Sequence, residues 1–185
     1  MSEFKVFTEK YIELMLLGMM VVAVHSEIKI ATLTRDKIPG VKCVVVDAWN
    51  ELFSKNYTVA DWERDDHFVV VDNFETECIT FLTLIDGETV VGCGGIRQLS
   101  ADTCELKRMW FLKAYRGLGW GSTMLTQLLH IAREHGCKYI RLEVWIPEKQ
   151  TQAVAFYHKF GFYEIEPYCE SRLGALFMEK KLSLL

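Results

Sequence analysis

Three glycines stand within five residues in Arg116-Gly117-Leu118-Gly119-Trp120-Gly121-Ser122. Residues without a side chain let the backbone come close to a ligand. A stretch of helical periodicity follows at once. The first turn of a helix carries unpaired N–H groups and the positive end of the helix dipole. Together these features make an anion site, and Arg116 adds a fixed positive charge suited to phosphate. A glycine-rich turn that simply opens a core helix is the plainer alternative. Spacing narrows the ligand. A P-loop requires G-x-x-x-x-G-K-[ST], and no Lys follows Gly121. A dinucleotide fold requires G-x-G-x-x-G with an acidic residue about 20 positions on. Here the spacing is G-x-G-x-G, although Glu143 lies at roughly that distance, so a nucleotide-binding α/β protein, stabilised by NAD or ATP, stays open on these residues alone.

Other reactive side chains are less organised. His130 and His135 miss the i, i+4 spacing of a metal-binding helix, and no G-x-S-x-G nucleophile elbow occurs. The cysteines Cys43, Cys78, Cys93, Cys104, Cys137 and Cys169 contain no C-x-x-C pair. They read as reduced, mostly buried thiols, and no metal site is expected. Asp61, Glu63, Asp65 and Asp66 surround Trp62. Such a field would attract a cationic amine, but a solvated surface is the simpler reading.

The elements that must carry these residues follow from periodicity. Residues 27–33 (E-I-K-I-A-T-L) alternate like a strand. A helix is expected from Asp36 through Val41, Val44, Val45, Ala48, Leu52 and Phe53, and residues 54–66 read as polar and irregular. Apolar runs over 78–85 and 89–99 flank Asp86-Gly87 and predict a hairpin; residues 104–112 predict a further strand. Met124, Leu125, Leu128, Leu129, Ile131 and Ala132 form one stripe of a helix over 122–135, with Gly136 as its stop. A strand over 139–146, a helix over 150–160, and closing strands over 162–165 and 175–182 complete the order. Strand, helix, strand after residue 104 implies a parallel crossover, and the hairpin implies antiparallel pairing. The expectation is an α/β domain with a mixed, twisted sheet.

The chain has 185 residues, half of them apolar, and 21 basic against 25 acidic side chains leave a formal charge of −4. That length fits one domain with a substantial core. The acidic balance argues against a nucleic-acid binder. The apolar run over 14–24 is shorter than the roughly 20 residues a membrane span needs, and its flanks do not resemble a signal peptide. It reads as an added element, or as an extension ahead of a start at Met19 or Met20.

Two signatures carry a resemblance. Residues 105–112 (E-L-K-R-M-W-F-L) followed by 115–121 (Y-R-G-L-G-W-G) resemble the acyl-CoA signature of the GNAT superfamily of N-acetyltransferases. Arg116-x-x-Gly119-x-Gly121 is similar to its [QR]-x-x-G-x-[GA] pyrophosphate loop. Residues 150–162, with Ala153, Phe156-Tyr157 and Gly161-Phe162, resemble the later N-x-x-A-x-x-[FL]-Y-x-x-x-G-F segment, and Phe177-Met178-Glu179-Lys180 its closing strand. The likeness runs over about 27–182 and is faintest over 54–74. Gln150 stands where the family usually has Asn, a position that helps hold the pantetheine arm.

The resemblance implies a single-domain fold over 27–185 with six to seven strands and helices on both faces, after an extension over 1–26. It implies acetyl-CoA as co-substrate and direct acetyl transfer to a primary amine on a small molecule or peptide. The backbone of Trp110, Phe111 and Leu112 would pair with the pantetheine amides like an added strand. The amides of Arg116, Gly117, Leu118, Gly119, Trp120, Gly121 and Ser122 would cradle the pyrophosphate. The family bends this strand with a bulge, where Arg108 otherwise places a charge on a face with Leu106 and Trp110. Tyr157 occupies the position of the acid that protonates the departing thiolate; packing beside Phe156 and Phe160 is its simpler role. Glu105 is the candidate base, directly or through water; a surface strand residue paired with Lys107 or Arg108 is the alternative. Acceptor specificity would sit in 54–67 and 166–174. A cytoplasmic protein is implied, with no nucleic-acid or membrane partner, and a homodimer stays open. A non-catalytic acyl-CoA-binding module is the alternative function.

Overall fold

The computed structural model describes residues 27–63, 69–171 and 173–183. The expected extension over 1–26 lies outside the described residues, as do Asp65 and Asp66. The first strand, β1 (Ile28–Thr32), leads through a short 3-10 turn into helix α1 (Ile38–Phe53). Pro39 sits in the first turn of α1, where its missing N–H costs nothing. Three short helices follow: α2 (Val59–Glu63), α3 (Val69–Asp72) and α4 (Phe74–Glu77). Helix α2 lies inside the stretch expected to be irregular. It forms because Thr58 and Asp61 cap one another: the Thr58 amide donates to Asp61 Oδ2 at 2.8 Å and the Asp61 amide to Thr58 Oγ1 at 3.3 Å.

The hairpin forms as expected from β2 (Thr80–Asp86) and β3 (Thr89–Ser100), followed by β4 (Thr103–Phe111). Then come α5 (Trp120–Glu134), β5 (Tyr139–Val144), α6 (Thr151–Lys159), β6 (Tyr163–Ile165) and β7 (Leu176–Lys181). The seven strands form one mixed sheet in the order β1-β2-β3-β4-β5-β7-β6. Among the described residues its single parallel junction is β4 with β5, joined by α5.

Helices cover both faces. Met124, Leu125 and Leu128 of α5 pack with Leu106, Ile140, Leu142 and Met178 of the sheet. On the opposite face Val41, Val44, Val45 and Trp49 of α1 pack with Phe81, Val90 and Cys93. Full burial of each aliphatic side chain contributes about 1.5–3 kcal/mol, so these two layers hold the sheet that positions the site. Cys93, Cys104 and Cys137 are buried in them, whereas Cys43 and Cys169 are exposed and Cys78 is half-buried. Burial therefore accounts for half of the thiols rather than most of them. Among the described residues no helix is long and apolar enough to cross a membrane.

Candidate active site

The two parallel strands at the centre of the sheet do not stay together. Strand β4 pairs with β5 only at Thr103–Tyr139, Cys104–Ile140 and Glu105–Arg141. Beyond that point β4 follows β3 as far as Phe111, and β5 follows β7 as far as Val144. The β5-facing edge of β4 is thereby left open after Glu105. A bulge accompanies the parting. The β3–β4 register jumps between Cys93–Trp110 and Gly95–Lys107, so Arg108 and Met109 together oppose Gly94. Arg108 takes a left-handed conformation at φ 54°, and its carbonyl accepts a hydrogen bond from Cys93 Sγ at 3.1 Å.

One extra residue reverses which way β4 faces. Cys104 and Leu106 point to the α5 side, and after the bulge so do Met109 and Phe111, while Trp110 packs on the α1 side. Arg108 therefore does not share a face with both Leu106 and Trp110, and the imperfect alternation in the sequence has its cause in the bulge. An open strand edge presents N–H and C=O groups at extended spacing, which suits a chain of amides. Not every group on it is free. The Leu112 amide donates to Val91 O at 2.9 Å, and the Phe111 carbonyl accepts from Arg116 Nε at 2.7 Å. Backbone alternation then turns the Phe111 amide away from β3.

At the end of this edge the glycine loop enters α5. Gly119 caps the helix at φ 92°, a conformation that carries no strain only without a Cβ. The amides of residues 117–122 meet no backbone carbonyl among the described residues. They form a set of donors at the positive end of a 15-residue helix. Gly121 has a different reason to be small: a Cβ there would sit 3.8 Å from Phe111 and from Phe156, an ordinary contact. The fold itself does not require glycine at that position, which fits a ligand approaching the backbone. Arg116 is not aimed at this donor set. Its guanidinium forks onto Glu51 of α1 at 3.0 and 2.7 Å, which holds the Glu51 carboxyl below its ordinary range. Arg116 ties the loop to α1, and the anion-binding capacity rests on the amides and the helix dipole.

Helix α6 stands beside the loop, because Phe156 reaches Gly121. Tyr157 is half-buried, its ring 5.3 Å from Phe156 and 5.5 Å from Phe162. Its hydroxyl has no hydrogen-bond partner among the described residues. Burial pushes the phenol well above its usual range, so it stays protonated at neutral pH. Gln150 caps the start of α6, and its Oε1 accepts the Ile146 amide at 2.9 Å, closing the turn after β5.

Glu105 lies where β4 and β5 part, and it is fully buried. Arg97 Nε reaches its Oε2 at 2.7 Å, Lys107 Nζ its Oε1 at 3.1 Å, and the Tyr168 hydroxyl donates to Oε1 at 2.7 Å. Burial works to raise its pKa. Lys107, Tyr168 and Arg97 together outweigh that and hold the carboxyl below the ordinary range. The group is ionised and firmly held. Of the expected partners Lys107 is confirmed; Arg97 and Tyr168 had no sequence signal, because one sits across the sheet and the other in the loop between β6 and β7. Tyr168 itself packs against Phe177 at 5.1 Å and under Arg141 at 5.3 Å.

The remaining candidates serve structure. Asp61 caps α2, and Glu63 pairs with Lys42 at 2.9 Å. His130 meets Glu134, and His135 closes the end of α5 on Ile131 O. Among the described residues no cluster of three or more His, Cys, Asp or Glu side chains is placed to hold a metal.

Comparison with known proteins joins this geometry to a family. Residues 46–162 match the model of the acetyltransferase (GNAT) family. The uncharacterised N-acetyltransferase YjgM of Escherichia coli K12 is 36% identical over 115 residues, which span 60% of this chain and 66% of that protein, just under two thirds of its length. A GNAT-family acetyltransferase structure from Staphylococcus aureus Mu50 superposes with a TM-score of 0.71 at 23% identity, covering 85% of this chain and all of that one. The PaiA N-acetyltransferase of Thermoplasma acidophilum, solved in complex with coenzyme A, superposes at 0.67 with 21% identity over 84% of this chain and 99% of that one. The chain belongs to the acetyltransferase (GNAT) family.

Proposed function

We propose that the protein transfers an acetyl group from acetyl-CoA directly to a primary amine. The observation that carries this reading is the coincidence of an open, bulged β4 edge with a set of unpaired amides at the start of α5. An extended chain of amides ending in a pyrophosphate fits that line of groups. The co-substrate supplies the activated thioester. The open edge around Trp110, Phe111 and Leu112 lays out the pantetheine arm, with the Phe111 amide as its donor. The loop amides from Gly117 to Ser122 hold the pyrophosphate, and Arg116 fixes the loop by gripping Glu51. Gln150 orders the turn at the start of α6 near that arm. Tyr157, still protonated, supplies a proton to the departing sulfur.

Glu105 is ionised at neutral pH but buried and engaged by three partners. It takes up the proton of the amine through a water at the mouth of the cleft rather than by direct contact. The same burial favours a second reading, in which the protein binds acyl-CoA without transferring the group. The deciding experiment incubates acetyl-CoA with a panel of primary amines and follows free thiol. Amine-dependent thiol release supports transfer. Tight CoA binding with no release for any amine sinks it in favour of the binding module.

A further inference from the structure

At the point where β4 and β5 part, a single row of side chains crosses five strands. Arg97, Glu105, Arg141, Glu179 and Tyr163 are partners in register on β3, β4, β5, β7 and β6. Residues opposite one another in a sheet share a face and interact, and along this row the charges alternate. Arg97 Nε donates to Glu105 Oε2 at 2.7 Å, Arg141 Nε donates to Glu179 Oε2 at 2.8 Å, and the Tyr163 hydroxyl donates to Glu179 Oε1. One step of the ladder is not filled by its own neighbours. Glu105 and Arg141 are opposite charges in register, yet no ion pair joins them among the described residues. Tyr168 takes that place: its ring lies 5.3 Å from the Arg141 guanidinium, and its hydroxyl donates to Glu105 Oε1 at 2.7 Å.

A phenol at that place differs from a third cation in what it can pass on. Glu105 has no exposed surface, so a proton reaches it through a group that holds it. Arg97 and Lys107 have only protons to give, whereas a hydroxyl gives one proton and accepts another on its lone pairs. Tyr168 is half-buried and packed on Phe177 at 5.1 Å, and Ser171 fixes the same loop to Glu143 of β5. Resting on the transferase reading, we propose that Tyr168 relays the proton of the acceptor amine to Glu105. As the amine nitrogen bonds to the acetyl carbon, its N–H bond breaks and the proton passes through the water at the mouth of the cleft to Tyr168 Oη. In the same event the Tyr168 O–H bond breaks and its proton bonds to Glu105 Oε1. The phenol is neutral before and after, and the carboxylate becomes the acid, which returns the proton to solvent by the reverse route. Burial and the Glu105 charge keep the phenol above its ordinary range, so the relay runs in one concerted event without a free phenolate. The charged and titratable groups around the pair are Arg97 of β3, Lys107 and Arg108 of β4, Arg141 and Glu143 of β5, and Cys169 on the loop. Burial raises Cys169 above its ordinary value of 9.0, so it stays mainly a thiol up to pH 9.

The test uses the amine that gives the most thiol release in the panel, with amine and acetyl-CoA both saturating. Tyr168→Phe keeps the ring on Phe177 and removes the relay. At pH 7 kcat is expected to fall roughly 10- to 100-fold, less than the full share of a general base because water replaces part of the route. The KM for acetyl-CoA stays put. From pH 7 to 9 the deficit narrows, as hydroxide takes the proton that the phenol no longer relays. Unchanged kcat overturns the proposal, and so does a deficit that stays constant over that range, which is what a purely structural hydroxyl gives. Glu105→Gln and the double variant supply an independent measurement. Steps of one route are not additive, so the double variant should lie within about threefold of Glu105→Gln in kcat; a multiplied loss overturns the proposal. If Glu105→Gln does not fold, the pH series on Tyr168→Phe decides alone. Failure of the transferase reading looks different: the wild-type protein then releases no thiol with any amine.

Discussion

Tyr157 takes its acid role from the family resemblance, Glu105 is the candidate base, and their surroundings divide them. The Tyr157 ring is gripped by Phe156 and Phe162 while its hydroxyl makes no described hydrogen bond. Tyr157→Phe therefore keeps the packing and removes no structural bond, so melting temperature and CoA affinity should hardly move. A positioned acid contributes about 10²–10⁴-fold, and kcat is expected to fall within that range. The phenol sits above its ordinary value of 10.0, so below about pH 10 no basic limb of the wild-type profile should come from it. A Phe variant with full turnover removes Tyr157 from the mechanism. For Glu105 the expectation concerns stability. Its folded-state pKa lies below the ordinary carboxyl value of 4.5. The carboxylate thus contributes stability at pH values above 4.5, and the contribution is lost as the pH falls through the lower folded value. Melting curves from pH 7 down to 3 should show Glu105→Gln less stable than wild type near neutrality, the difference shrinking in acid. A constant difference across that range would mean that the ionised form is not what Arg97, Lys107 and Tyr168 stabilise.

Among the elements, the bulge in β4 and the loop before α5 do different work. The bulge opens the edge; the loop terminates it in donors. Gly121 belongs to the second, and since the protein leaves room for a Cβ there, its smallness is expected to serve the ligand. Gly121→Val should leave thermal stability nearly intact and weaken acetyl-CoA binding at least tenfold by calorimetry; unchanged affinity in a folded variant would show that nothing approaches that backbone. Periodicity made α1, α5 and the β2–β3 hairpin legible, because each buries an apolar stripe or face of its own. The same rule could not show α2, which is too short to display a period and depends on the local exchange between Thr58 and Asp61. It showed β4 as a strand but not which way its side chains face beyond Arg108, where one inserted residue reverses the alternation.

For the whole molecule, among the described residues the sheet begins at Ile28, and residues from Ile28 to Leu182 build both of its apolar layers. A chain starting at Met20 is expected to fold and to bind CoA with unchanged affinity; an insoluble or CoA-blind product would make the first residues part of the domain. What the sequence by itself determined is local: the glycine spacing, the helix that follows it, the order of strands and helices, and the family signature they compose. These depend on near neighbours in the chain, whose spacing is written directly in the order of residues. What only the tertiary structure decided is whatever needs partners distant in sequence. Arg116 turns to Glu51, 65 residues away, instead of waiting for phosphate. Glu105 becomes a buried anion because Arg97 arrives from β3 and Tyr168 from a loop 63 residues on. The cleft itself exists because β4 and β5 follow different neighbours after Glu105. A pairing that stops leaves no mark in composition or period, since each strand remains a good strand on its other edge.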